Sequence, residues 1–116
     1  MIYSTLRQRN TIQESETMSK ALDDVKAERQ RQVEVEEWTP ERDDHYLTGQ
    51  LAVAGASYAV SSVVTQVTGE NMKEIPGFWP WDKEWFKPKS PRQDLVRAAA
   101  LLVAEIERLD RLEGSE

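Results

Sequence analysis

Apolar residues recur at three- and four-residue steps near the end of the chain: Leu95, Ala98, Ala99, Leu102, Ile106 and Leu109. That spacing predicts a long helix with one apolar side. Its start is marked by Ser90 as an N-cap, Pro91 at the first helical position, and Gln93 completing a Ser-x-x-Gln capping box. Gly114 marks its end. Val96, Ala100 and Val103 widen the apolar face, while Glu105, Glu107, Arg108 and Arg111 fall on the side expected to be wet. The stretch Ala98–Leu109 is therefore expected to be core.

Upstream, Leu51, Ala52, Ala54, Gly55, Tyr58, Ala59 and Ser62 line one side of a helix predicted from Leu47 or Thr48 to about Gln66. Small side chains let helix backbones approach closely, which places this helix centrally. Val60, Val63, Val64 and Val67 weaken the helical preference toward its end, and Thr68-Gly69-Glu70-Asn71 stops it. A first helix is predicted over about Ser19–Glu37. It has a thin apolar side of Ala21, Leu22, Val25 and Val33, with Arg29 and Gln32 near the same face. Trp38 ends it, Thr39-Pro40 breaks the pattern, and Pro40–Tyr46 reads as a loop. Residues 70–89 form a long connection with one short helical turn near Asp82–Phe86. Its aromatic density predicts that it packs onto the helices. Residues 1–18 offer little to bury and read as a poorly structured tail. The expectation is an all-α domain over residues 19–113, with three main helices and an ordered aromatic loop before the last. Its small-residue and Ala-rich faces suggest a homo-oligomer.

Composition narrows the function classes. The chain has 116 residues, one domain's length, and a net charge of −6 that argues against broad non-specific nucleic-acid binding. It has no Cys, so disulfides and thiolate metal sites are excluded, and its one His45 cannot build a multi-His site. No apolar run of about 18 residues stands out, so no membrane span is expected, and the N-terminus lacks a secretory leader pattern. There is no Gly-x-Ser-x-Gly turn and no Gly-rich phosphate loop. No catalytic residue, metal or cofactor is predicted.

Three places could carry chemistry. Three of the four Trp and both Phe fall within Phe78–Phe86, followed by Lys87, Lys89, Arg92 and Arg97 at a helix start. Trp81 and Trp85 offer flat faces for a base, and Lys87, Arg92 and Arg97 offer charge for a phosphate. The same residues fit a packed loop with solvated bases equally well. The polar edge of the first helix and the loop after it, with Glu28, Arg29, Gln32, Trp38, Asp43, Asp44 and His45, forms a second candidate. Arg29 and Gln32 would add polar contacts to the same ligand, and Asp43-Asp44 would hold a hard cation or cap the next helix. Eleven acidic residues between Glu14 and Asp44 suggest a different class, a protein inhibitor that covers a basic surface through Glu34, Glu36 and Glu37. The third place is Glu34-x-x-Glu37 with Glu107-x-x-Asp110. This pair resembles the carboxylate motifs with which MazG-type all-α nucleoside triphosphate pyrophosphohydrolases hold Mg²⁺.

A broader pattern runs from Ala21 to Arg111. Glu28-Arg29-x-x-Gln32, Trp38-Thr39-Pro40, Asp43-Asp44, Trp79-Pro80-Trp81, Trp85-x-Lys87-Pro88 and Arg92-x-Asp94-Leu95-Val96-Arg97 through Asp110 resemble a group of small phage and prophage proteins. The resemblance implies an accessory role in the cytoplasm of a bacterial host, such as inhibiting a host factor or sequestering a nucleotide defence signal. The partner expected is thus an anionic, nucleotide-like small molecule or a host protein.

Overall fold

The computed structural model describes residues 20–114, and they form an all-α fold with no strand among them. The expected tail and Ser19, the first residue of the expected helix, lie outside the described residues. Helix α1 covers 20–34, α2 is a single turn at Pro40–Asp43, α3 spans Gln50–Thr68 and α4 spans Pro91–Gly114. A 3-10 turn at Lys83–Trp85 interrupts the aromatic loop, where the sequence places a short helical turn.

Helices α3 and α4 are the centre. They run antiparallel, and Gly55 is where they come closest. A Cβ there would lie 3.1 Å from the Ala98 carbonyl oxygen and 3.3 Å from Leu102 Cγ. The apolar core is correspondingly thin: Leu51, Ala54, Tyr58, Ala98, Leu101 and Ala104. Trp38, Tyr46, Trp79, Trp81 and Phe86 pack over it from the loops. The small-residue side of α3 is thus an internal contact. It also buries Ser57, Ser61 and Ser62, with Ser61 Oγ donating to Asp94 Oδ2 at 3.4 Å.

Several boundaries and faces differ from expectation. Helix α1 stops at residue 34 rather than at Glu37. Glu37 adopts a left-handed backbone at φ +62°, and the Trp38 N–H turns back to the Gln32 carbonyl at 2.8 Å. A non-glycine residue rarely takes that conformation, so no Gly announces the turn. The Pro40–Tyr46 loop contains α2, because Thr39 Oγ1 accepts from the Arg42 N–H and Pro40 occupies the first position. Helix α3 starts and ends two or three residues later than expected, between Gly49 and Gly69, both left-handed. It is uncharged over its 19 residues, and its most apolar 18-residue window has a mean hydropathy of 1.3. By length and composition alone it could cross a membrane, contrary to the expectation that no such run exists.

Helix α4 begins as expected, with the Gln93 N–H donating to Ser90 Oγ at 3.2 Å. The Gln93 side chain binds the Ser90 hydroxyl instead of closing the box on its backbone. The helix continues through Gly114, the last described residue. Its faces are distributed differently from the sequence reading. Leu95, Leu102, Ile106 and Leu109 are exposed, while the supposedly wet Glu105 and Arg108 are buried as an ion pair. The buried side is built from Ala98, Ala100, Leu101 and Ala104 together with Asp94 and that pair. Of the stripe that periodicity marked as core, Ala98 is buried but Leu95, Leu102, Ile106 and Leu109 face outward.

Candidate ligand-binding site

The predicted site residues separate into three environments. Arg29 and Gln32 are internal. Arg29 donates to Asp43 Oδ2 at 3.0 Å, to Glu107 Oε1 at 3.2 Å and to the Trp38 carbonyl at 3.3 Å, tying α1 to α2 and α4. Gln32 is fully buried and donates to Glu28 Oε2. Neither opens onto the surface that Trp81 and Trp85 line. Burial pushes the Asp43 carboxyl up to about 6, against the pull of Arg29 and Arg111.

Arg92 and Arg97 share a cleft of about 360 Å³ between α1 and the start of α4, with Arg31, Lys89, Asp24 and Glu28 in its walls. Its guanidinium groups are matched. Arg92 pairs with Asp24 at 2.7 Å, Arg31 with Glu28 at 2.7 Å and Glu36 at 2.9 Å, and Arg97 with Glu28 at 3.7 Å. Burial opposes the charge of Glu28, but the Arg31 hydrogen bonds and charge, helped by Gln32 and Arg97, outweigh it and hold the carboxyl below its ordinary range. Arg97 also has a structural task. Its Nη1 donates to the Lys87 carbonyl at 2.9 Å and to the Tyr58 hydroxyl at 3.2 Å. That hydroxyl accepts from the Lys87 N–H and donates to the Trp85 carbonyl. Tyr58 and Arg97 therefore fasten the end of the aromatic loop to α3 and α4. Among the described residues only the Lys89 ammonium in this cleft makes no ion pair.

Trp81 and Trp85 line a different pocket of about 270 Å³, between the aromatic loop and the 38–46 segment. Trp38, Arg42, Tyr46, Pro80 and Asp82 complete it. The rings are fixed by edge and tilted contacts. Trp81 lies 5.7 Å from Trp38, 5.3 Å from Tyr46 and 5.4 Å from Trp79, while Trp79 packs in turn on Tyr58 and Phe86. Trp79 Nε1 donates to the Asp82 carbonyl at 3.0 Å and shapes the turn that presents Trp85. Trp85 is 40% exposed, with the Lys87 ammonium 5.5 Å from its ring centre. The Arg42 guanidinium meets only the Tyr46 hydroxyl, at 3.3 Å, and makes no ion pair among the described residues.

Comparison with protein-family models, curated proteins and solved structures finds no match. The functional reading therefore rests on the chain's own geometry. Trp38, Arg42 and Tyr46 were not foreseen as part of the aromatic site, although the signal was present. Thr39-Pro40 starts a helical turn, and Arg42 and Tyr46 lie four residues apart, where side chains meet.

The other readings find less in the fold. Of the residues in Glu34-x-x-Glu37 and Glu107-x-x-Asp110, Glu107 is already engaged by Arg29. Among the described residues no group of three or more His, Asp or Glu could hold a metal ion. Of the acidic residues around α1, Asp24, Glu28 and Glu36 are tied to arginines, while Glu34 and Glu37 are exposed and make no ion pair among the described residues. Asp43 is buried against Arg29, so it too is not a free surface ligand for a cation.

Proposed function

We propose that the protein is a non-enzymatic binding protein for a planar, anionic, nucleotide-like ligand, and that the ligand seats in the Trp81–Trp85 pocket. The observation that carries the reading is an open pocket walled by Trp38, Tyr46, Trp81 and Trp85, with one cation, Arg42, that makes no ion pair among the described residues. Its volume is near the lower end of small-molecule sites and suits a base with its sugar. Trp85 supplies the accessible stacking face, with Trp81 behind it. Arg42 and Lys87 supply charge for phosphate at the rim. Asp82 offers an acceptor for an exocyclic amine or a sugar hydroxyl. Arg29, Gln32, Arg92 and Arg97 hold the scaffold. An accessory role in a bacterial host, with the ligand as a sequestered defence signal, follows from the resemblance to small phage proteins.

The test is a thermal-shift and Trp-fluorescence screen against nucleoside mono-, di- and triphosphates and cyclic oligonucleotides. The expected result is stabilisation with a change in Trp emission, lost in Trp85→Ala and Arg42→Gln and retained in Arg92→Gln. No stabilisation and unchanged emission across the panel contradict the proposal.

A further inference from the structure

A second surface lies apart from the pocket. Val60, Val63 and Val67 of α3 and Leu95, Leu102, Ile106 and Leu109 of α4 are 38–78% exposed. On α4, Leu95, Leu102 and Leu109 fall seven residues apart, with Ala99 and Ile106 between them. This is the alternating four- and three-residue spacing of a helix–helix seam. Because α3 and α4 are antiparallel and touch at Gly55 and Ala98, residues one step round each helix from that contact fall on the same side of the pair. These are Ala56 and Val63 on α3, and Leu95 and Ile106 on α4. The two stripes therefore form one face of the pair, meeting where Val60 passes Leu95 and Ala56 passes Ala99, with Val63 and Val67 toward one end and Ile106 and Leu109 toward the other. No charge interrupts it on α3, which has no ionisable Asp, Glu, Lys or Arg between Gln50 and Thr68.

We propose that this face is covered by a second copy of the chain, giving a two-fold dimer whose centre is a four-helix bundle of two α3–α4 pairs. Three observations favour a copy over another occupant. The exposed side chains amount to on the order of 600 Å² of apolar surface, near the ~800 Å² per partner of a standard interface and at the upper end of what monomers leave open. The α4 stripe also keeps a seven-residue seam spacing at Leu95, Leu102 and Leu109, which a second copy of the same stripe matches. The third is the thinness of the single-chain core, whose six clustered buried residues include three alanines. A chain of this size with so few large buried side chains gains most by burying its remaining stripe. This inference is independent of the ligand pocket.

Sedimentation equilibrium of the full-length protein decides it, with Val63→Lys and Ile106→Lys, on different helices, as the variants. The expected mass is twice 13.3 kDa for the wild type. Each variant is expected to fall to a single chain's mass while keeping its far-UV helical signal, since both positions are exposed in one chain. A wild-type mass of 13.3 kDa at about 500 μM, well above a micromolar Kd, overturns the proposal. So does a dimer that persists unchanged in a helical Val63→Lys or Ile106→Lys protein. Flotation with phosphatidylcholine–phosphatidylglycerol vesicles separates the membrane alternative: a monomer that floats, and stops floating in the variants, assigns the face to lipid instead.

Discussion

The aromatic pocket and the basic cleft are near neighbours in sequence and opposite in electrostatic state. The cleft collects Arg31, Lys89, Arg92 and Arg97, but Asp24, Glu28 and Glu36 already bind its three guanidinium groups. The pocket holds one guanidinium, Arg42, whose contact is a neutral hydroxyl. A run of cations along a chain therefore says little about charge left for a ligand when the chain is acidic overall. Each arginine has carboxylates to choose from, and an internal pair costs no partner from outside. The pocket's polar capacity is smaller in number but unspent. Its aromatic walls are held by ring contacts rather than by ions.

The largest expected effect tests whether matched cations are structural. Arg29→Met leaves Asp43 buried without its close partner and removes the link from α1 to α2 and α4. Loss of one member of a buried pair costs about 3–5 kcal/mol, to be read by urea unfolding. Unchanged stability would return Arg29 to the list of ligand residues. A pH series examines the same pair. Asp43 has a folded pKa of about 6, above its ordinary 3.8. Folding thus raises its proton affinity above that of the unfolded chain, although at pH 7 it is ionised and paired with Arg29. Its contribution is complete below the unfolded value and is lost as pH rises through the folded one, an effect on the order of 2 kcal/mol between pH 4 and 7. Glu28, held low by Arg31, contributes in the opposite direction and is lost on acidification. The Asp43 share is therefore read as the difference between wild type and Asp43→Asn across that range.

Two smaller effects sharpen the contrast from the pocket side. Trp85→Ala removes an exposed ring, so stability should change little. A stacked base, however, should lose about 1–3 kcal/mol, roughly 5- to 150-fold in Kd. Arg92→Gln in the cleft should leave nucleotide affinity within about twofold, because that charge belongs to Asp24 in an exposed pair of little net worth. The reverse ranking, measured by titration calorimetry, would move the ligand to the cleft. Glu37→Gly relieves the left-handed turn that delivers Trp38 to the pocket wall. It should raise stability by about 1 kcal/mol with the pocket unchanged.

Where local rules decide, the sequence was readable. Ser90-Pro91 fixed the start of α4, Gly69 its counterpart at the end of α3, and the aromatic density of Phe78–Phe86 its packing on the helices. The small-residue side of α3 located the Gly55 approach. What failed depends on partners that sequence spacing does not name. Arg29 and Gln32 share a helix face, as expected, but whether that face meets a ligand or Asp43 and Glu107 is a matter of tertiary placement. Glu105 and Arg108 read as a wet face and are buried because they satisfy each other. Leu95, Ile106 and Leu109 read as core and are exposed because alanines and paired charges fill the contact instead. Arg42 and Tyr46 were lost inside a segment too short for periodicity to register.

The most direct test of the pocket assignment is a nucleotide titration followed by the indole N–H resonances of the four Trp in a ¹H–¹⁵N correlation spectrum. Trp81 and Trp85 are predicted to shift together, and the Arg97 guanidinium resonance to stay in place. Shifts confined to the side chains of Arg31, Arg92 and Arg97, with all four indoles still, would contradict the assignment.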